Sequence, residues 1–246
     1  MSPERIALFG QLRPGIVTDI ADVDVRLAPT IHPYATRHAE AIAENWRAET
    51  GRNPRLFDGT VMLHSALSCD DAVLTGQSHP VPFSAFMHWR ANRGVDGVAH
   101  LFAHAVPVGA CGRLVAIRMA GHTANAGQVY FAAGSFEPAD FVDGRLDAPA
   151  NMRREVREET GIDLAGCRTE SGYRLTRVGE TVLLFRRYWL EQDAEEIAQR
   201  IRDHVAGDPD PEIDGPVILA HGERPAPAPP HMATLIDWHE ANPLPR

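Results

Sequence analysis

Glu155, Glu158 and Glu159 stand at i, i+3 and i+4 in the run 154–162, a spacing that puts three carboxylates on one face of a helix. Three like charges that close repel one another, and a hard divalent cation such as Mg²⁺ or Mn²⁺ offsets the repulsion through oxygen ligands. Arg154 precedes Glu158 by four residues, within reach of its carboxylate, and Gly161 supplies the left-handed residue that ends the helix. The plain alternative is a solvated acidic face, common on Glu- and Arg-rich helices. Against it stand aliphatic Val156 and Ile162 and the terminal glycine, which complete the pattern R-E-U-x-E-E-x-G-U, with U aliphatic.

That pattern resembles the second half of the Nudix box. The resemblance implies a fold class, α/β, in which an α/β/α sandwich with a mixed sheet carries the box. It also implies a metal-dependent hydrolase that cleaves the pyrophosphate bond of a nucleoside diphosphate linked to another moiety. Mg²⁺ or Mn²⁺ would be held by Glu155, Glu158 and Glu159, with Glu158 and Glu159 foremost and the Gly134 carbonyl as a further ligand. Arg154 would orient Glu158 and leave the substrate untouched. In such enzymes the general base is either a box glutamate or a glutamate on a later loop, and Glu212 is the loop candidate here; its plain reading is an acidic surface turn.

The first half of the box is irregular. Counting back from Arg154 by the family spacing G-x5-E-x7-R-E places Leu146 at the first glutamate and Asp140 at the glycine, and neither fits. Gly134 is the better anchor, because 129–135 reads as a strand running into a tight turn; the loop then carries about six extra residues. The helix would start afresh at an Asp147 N-cap, with Pro149 in the first turn. Glu137, Asp140, Asp143 and Asp147 are candidates to replace the missing glutamate, or belong to a solvated loop.

Substrate signals lie outside the box. The run 52–59, R-N-P-R-L-F-D-G before a strand, resembles the amino-terminal lobe of UDP-glucose and UDP-galactose hydrolases of the same superfamily. The resemblance implies a nucleotide sugar such as UDP-glucose, with Arg52 and Arg55 as phosphate or uridine contacts and Arg118 as a further substrate-binding candidate. Without it, the run is a proline turn starting a strand with a buried Phe57. Coenzyme A and ADP-ribose pyrophosphohydrolases are the enzymatic alternatives, although the upstream motif of the first and the downstream proline of the second are not evident. A non-catalytic nucleotide-binding Nudix domain is the alternative of another class, motivated by the missing first glutamate.

Composition narrows the remaining classes. A formal net charge of −9 argues against general affinity for nucleic acid or anionic membrane, and no apolar run is long enough to span a bilayer. The start, Met1 to Arg5, does not read as a secretory leader, and three cysteines without metal-ligand spacing suit a reducing, cytoplasmic setting. All 24 basic residues are arginine, which excludes Schiff-base and lysine-base chemistry and leaves any phosphate clamp to Arg and backbone N–H groups. A small nucleoside diphosphate derivative is the expected partner, with oligomeric state undetermined. The twelve histidines offer no H-E-x-x-H site, and His100 and His104 read as neighbours on one strand.

The elements that must position these residues follow from periodicity. Residues 1–94 read as an α/β lobe, with apolar runs at 6–9 and 23–27, a helix over 36–50 ended by Gly51, a strand at 60–67 and a short helix within 80–92. Residues 95–246 read as the Nudix domain. Strands are expected at 98–106, 113–119, around Tyr130, at 181–190 and at 217–220, with helices from the box, from 193–205 N-capped by Asp193, and from 232–241.

Overall fold

A computed structural model describes residue 9 and residues 12–94 and 97–243. The amino-terminal half contributes β1 (Thr18–Ile20), β2 (Asp22–Leu27), α1 (Pro33–Arg37), α2 (Ala39–Arg52), β3 (Thr60–Asp70), β4 (Val73–Pro82) and α3 (Phe83–Ala91). Next come β5 (His100–Val108), β6 (Leu114–Met119), β7 (Val129–Tyr130), a 3₁₀ turn at Pro138–Asp140, β8 (Phe141–Val142), β9 (Arg145–Leu146) and α4 (Ala148–Thr160). The chain closes with β10 (Arg168–Thr169), β11 (Tyr173–Val178), β12 (Thr181–Trp189), α5 (Ala194–Gly207), β13 (Ile213–Leu219) and α6 (Pro230–Ala241). Of the expected run 6–9, all but Phe9 lies outside the described residues.

A mixed sheet in the order β1-β11-β12-β5-β6-β13 is the centre of the molecule, with β10 beside β12 and β7 beside β6. The parallel pairing of β5 with β12 sets His104 beside Phe185 and Pro107 beside Tyr188. Because side chains alternate along a strand, these pairs point to opposite faces. On one face Phe185 meets Trp238 and His104 meets His231, both from α6. On the other, Tyr188 Oη reaches Met152 Sδ of α4 at 3.6 Å. Helices therefore cover both faces, giving the expected α/β/α sandwich.

A second mixed sheet runs β3-β4-β2-β9-β8. It joins the first through two backbone hydrogen bonds between His64 and Ala99, at 2.8 and 2.9 Å. The loop before the box helix is not a free insertion: β8 and β9 form a hairpin that extends this sheet, with Arg26 opposite Arg145. Asp143 and Gly144 make its two-residue turn at φ 50° and 74°, the positive pair a tight hairpin requires. Arg145 fastens it by donating to Asp22 Oδ2 at 2.6 Å and to the Val23 carbonyl at 3.0 Å. Chain crosses position 94/95 in both directions, since β1 pairs with β11 in the central sheet while β8 and β9 lie in the second one.

Most expected elements form within a few residues of their sequence signals. Two local readings are corrected. Gly51 does not end its helix: α2 continues to Arg52 and is closed by extended Asn53, the residue before Pro54, where the helical conformation is disfavoured. Phe57 is 82% exposed, because the turn around it is held by polar groups on either side and not by apolar burial. No helix among the described residues is long and apolar enough to cross a membrane.

Candidate active site

The box helix α4 is built as its sequence dictates. Asp147 accepts from the Ala150 N–H at 2.9 Å as N-cap, and Gly161 closes the helix at φ 68°. A second reason fixes Gly161 as glycine, since a Cβ there would lie 2.7 Å from His204 Nδ1. Buried Met152 and Val156 anchor the apolar stripe, so that Glu155, Glu158 and Glu159 turn toward a cleft at the end of the sheet.

That cleft, of about 400 Å³, is lined by Gly134, Arg154, Glu155, Glu158, Glu159 and Glu212, so it brings together the box carboxylates, the glycine turn and the loop glutamate singled out in the sequence. Gly134 belongs there for a steric reason. A Cβ at position 134 would fall 2.6 Å from the Glu155 carboxyl carbon, so only glycine lets the turn after β7 press against that carboxylate. Glu212 arrives from far along the chain: β13 pairs with β6, and Ala120 N–H donates to the Glu212 carbonyl at 2.9 Å.

Arg154 is the cation among these groups. Its guanidinium stands 2.8 Å from Glu155, 3.1 Å from Glu158 and 3.1 Å from Asp140. Burial pushes the Glu155 carboxyl up to about 7, with Arg154 pulling it back and Glu158 and Asp140 pushing it further. Glu159 is raised well above the ordinary range by burial, then by Glu155 and Glu212, against one favourable contact with the Ala133 backbone. Its Oε2 is buried without a hydrogen-bond partner among the described residues. Buried carboxylates crowded in this way lack positive charge. As they lie, no three His, Cys, Asp or Glu side chains among the described residues stand at metal-binding distances, and Glu155 and Glu158 are paired with Arg154. The donor set nevertheless suits a hard divalent cation: carboxylate oxygens, one of them orphaned, beside a glycine turn whose backbone is open to the cleft.

The four acidic candidates of the loop separate by role. Glu137 lines the cleft. Asp140 is only 4% exposed and is consumed by structure, accepting from Arg154 Nη2, from Asn151 Nδ2 at 3.0 Å and from the Glu137 N–H at 2.9 Å. Asp143 forms the hairpin turn, and Asp147 caps α4. A carboxylate beside Arg154 is thus present, supplied by Asp140 six positions after Gly134, with the hairpin inserted after it rather than before it.

The arginines proposed for substrate are not brought to the cleft. Arg52 pairs with Glu49 at 2.9 Å, Arg118 donates to the Gly127 carbonyl at 3.1 Å, and Arg55 forms an exposed ion pair with Asp210 at the cleft rim. With Asn53 Nδ2 donating to the His122 carbonyl at 2.7 Å, the run 52–59 fastens the end of α2 to loops of the central sheet. Sequence reasoning missed several wall residues, among them Val61, Phe83, Ser135, His204, Asp208 and Asp210. His204 Nε2 lies 3.1 Å from the Glu158 carbonyl, and its only sequence signal was its place on the helix after the last long strand.

No family model matches the chain, and no curated protein matches it. Among solved structures it is similar to the MutT protein from Methanosarcina mazei Go1, at 18% identity over 58% of this chain and 91% of that one, with a TM-score of 0.37. It is similar to DR0079 from Deinococcus radiodurans at 14% identity, over 56% of this chain and 82% of that one, with a TM-score of 0.36. A MutT/nudix family protein from Enterococcus faecalis is similar at 11% identity, over 58% of this chain and 53% of that one, with a TM-score of 0.29. In structure the chain is similar to MutT/Nudix family proteins, and its chemistry is to be read from its own cleft.

Proposed function

We propose that this protein is a Nudix-type hydrolase that cleaves the pyrophosphate bond of a nucleoside diphosphate linked to another moiety. The observation that carries this reading is the convergence of Glu155, Glu158, Glu159 and Glu212 with the Gly134 turn in one cleft, where the Glu159 oxygen is buried and unpaired. Glu155, Glu158 and Glu159 would hold Mg²⁺ or Mn²⁺, with the Gly134 backbone beside them. When bound, such a cation neutralises a diphosphate and lowers the pKa of water.

The residues of the chain then have distinct tasks. Arg154, held by Asp140, keeps the Glu155 and Glu158 carboxylates turned into the cleft. Glu212, which lines the same cleft, would accept a proton from the attacking water. Phe83 and Val61 give the cleft an apolar wall on the amino-terminal side. The carboxylate that Asp140 supplies to Arg154 supports the hydrolase over a binding-only domain, the other reading of the missing first glutamate. A nucleotide sugar such as UDP-glucose is the substrate favoured by the resemblance of residues 52–59, with coenzyme A and ADP-ribose derivatives as competitors.

The test is phosphate release, after phosphatase coupling, from a panel of nucleotide sugars, dinucleotides and acyl-coenzyme A compounds with saturating Mg²⁺ or Mn²⁺. Turnover that disappears in Glu159→Gln supports the hydrolase. A folded protein that releases no phosphate from any of them overturns it.

A further inference from the structure

Beside the acidic cleft lies a second recess of about 410 Å³, and the two meet at Phe83, Gly134 and Ser135. Their chemistry is opposite. The cleft is lined by seven carboxylates, Glu137, Glu155, Glu158, Glu159, Asp208, Asp210 and Glu212. The recess, in a chain of net charge −9, has no acidic residue in its wall and includes Arg90 and Arg93. Both guanidiniums are held: Arg90 Nη2 reaches the Ala124 carbonyl at 3.4 Å, and Arg93 lies over the Trp89 ring at 5.5 Å.

The recess is also the aromatic part of the molecule. Phe83 and Phe86 stack at 5.7 Å, His100 and Phe102 stack at 5.4 Å with 7° between planes, and His231 meets Phe102 edge-on at 5.1 Å. Phe102 remains partly exposed while its ring is fixed on both sides, which makes it a preformed platform for a planar ring. Asn125 and Gln128 place side-chain amides at the same wall, groups that can both donate to and accept from a ring edge.

We propose that this recess takes the heteroaromatic base of the nucleotide, and that Arg90 and Arg93 supply the cationic contacts to the phosphate next to it. This deepens the hydrolase reading and rests on it. The diphosphate would span the junction at Phe83 and Ser135, its cleaved end among the carboxylates and its nucleoside end among rings and guanidiniums. Specificity for the base would then come from Phe102 of β5 and from Asn125 and Gln128 in the loop between β6 and β7, not from residues 52–59.

The experiment is calorimetric binding of UMP, AMP and ribose 5-phosphate in EDTA, to the parent, Phe102→Leu, Arg93→Gln and Arg55→Gln. One nucleoside monophosphate should bind the parent about tenfold more tightly than ribose 5-phosphate, which has the sugar and the phosphate but no base. Phe102→Leu should weaken it about fivefold through lost stacking, and Arg93→Gln about tenfold, with Arg55→Gln unchanged. Arg93 is exposed, so its variant keeps the test open should Phe102→Leu misfold. Ribose 5-phosphate binding as tightly as both nucleotides, neither nucleotide binding, or affinity unmoved in both Phe102→Leu and Arg93→Gln overturns the proposal. Glu159-dependent hydrolysis without such binding would remove this inference and leave the hydrolase standing; binding without hydrolysis of any diphosphate would do the reverse.

Discussion

Glu158 and Glu159 differ in their surroundings although they are adjacent in sequence. Glu158 is exposed and ion-paired with Arg154, whereas Glu159 is half-buried and has one buried, unpaired oxygen. Replacing either by Gln removes charge while keeping shape, so turnover should fall by about two orders of magnitude or more with the fold intact, as circular dichroism would show. Near-normal turnover at saturating Mg²⁺ in either variant would remove it from the site. Because the Glu155 carboxyl is pushed up to about 7, Mn²⁺ must displace a proton there at lower pH. Titration calorimetry should therefore show affinity rising between about pH 6 and 8, and the rise should be shallower in Glu155→Gln, where only the Glu159 proton remains to be displaced. Asp140 and Asp143 provide a contrast within one loop. Asp140→Asn breaks a buried pair with Arg154 and should cost about 2 kcal/mol of stability as well as turnover. In Asp143→Asn the turn geometry is preserved, and both quantities should stay at parent values. Equal behaviour of the two variants in urea melts and kinetics would contradict the roles assigned to them.

At the scale of elements, two glycines set how closely segments approach. Gly134 lets the turn after β7 lie against Glu155, and Gly161 both ends α4 and leaves room for His204 of α5. Gly161→Ala adds left-handed strain to a steric overlap, so it should lower the melting temperature by about 5 °C or more. Gly134→Ala should act differently, displacing the Glu155 carboxylate and weakening Mn²⁺ binding with a smaller thermal effect. If Gly134→Ala melts earlier than Gly161→Ala and binds Mn²⁺ normally, the turn is merely structural. The hairpin β8–β9 has a comparable role, since by joining the second sheet it fixes the loop whose Asp140 holds Arg154.

Across the whole molecule, two sets of buried groups respond to pH with opposite sign. His64, His100, His104 and His231 are held neutral, chiefly by burial, His100 near 3 and His231 near 4; Arg90 and Arg93 add to the effect at His100, Arg93 acts at His231, and His231 acts at His104. The unfolded chain takes up these protons around pH 6.5 while the native one does not, so their contribution to stability is lost as pH falls below that value. Glu155, raised to about 7, and Glu159 hold protons that the unfolded chain gives up, so in metal-free protein they oppose the loss as pH falls from 7 toward 4.5. Scanning calorimetry in EDTA should show Glu155→Gln/Glu159→Gln losing more melting temperature than the parent between pH 7 and 5. An equal or smaller loss would mean that the carboxylates are not desolvated in the native state.

Local sequence determined the box helix almost completely. Asp147, Pro149 and Gly161 mark its ends by backbone chemistry that acts within a turn, and the 3.6-residue period alone aligns Glu155, Glu158 and Glu159. The long strands at 60, 100 and 181 were legible for the same reason, being runs of β-branched and apolar residues. Short strands such as β1, β8, β9 and β10 were not, because two or three residues carry no period and form only where a partner edge exists. Only the tertiary structure decided that Asp140, and not Asp143, holds Arg154, since that choice depends on a hairpin joining another sheet. It alone brought Glu212 into one cleft with Glu159 through the β6–β13 pairing, turned Arg52, Arg55 and Arg118 to structural partners, and gathered Arg90, Arg93 and Phe102 around one recess. Those are contacts between residues far apart in the chain, and their geometry is set by sheet register and helix packing, which act over the whole core and leave no mark at any single position.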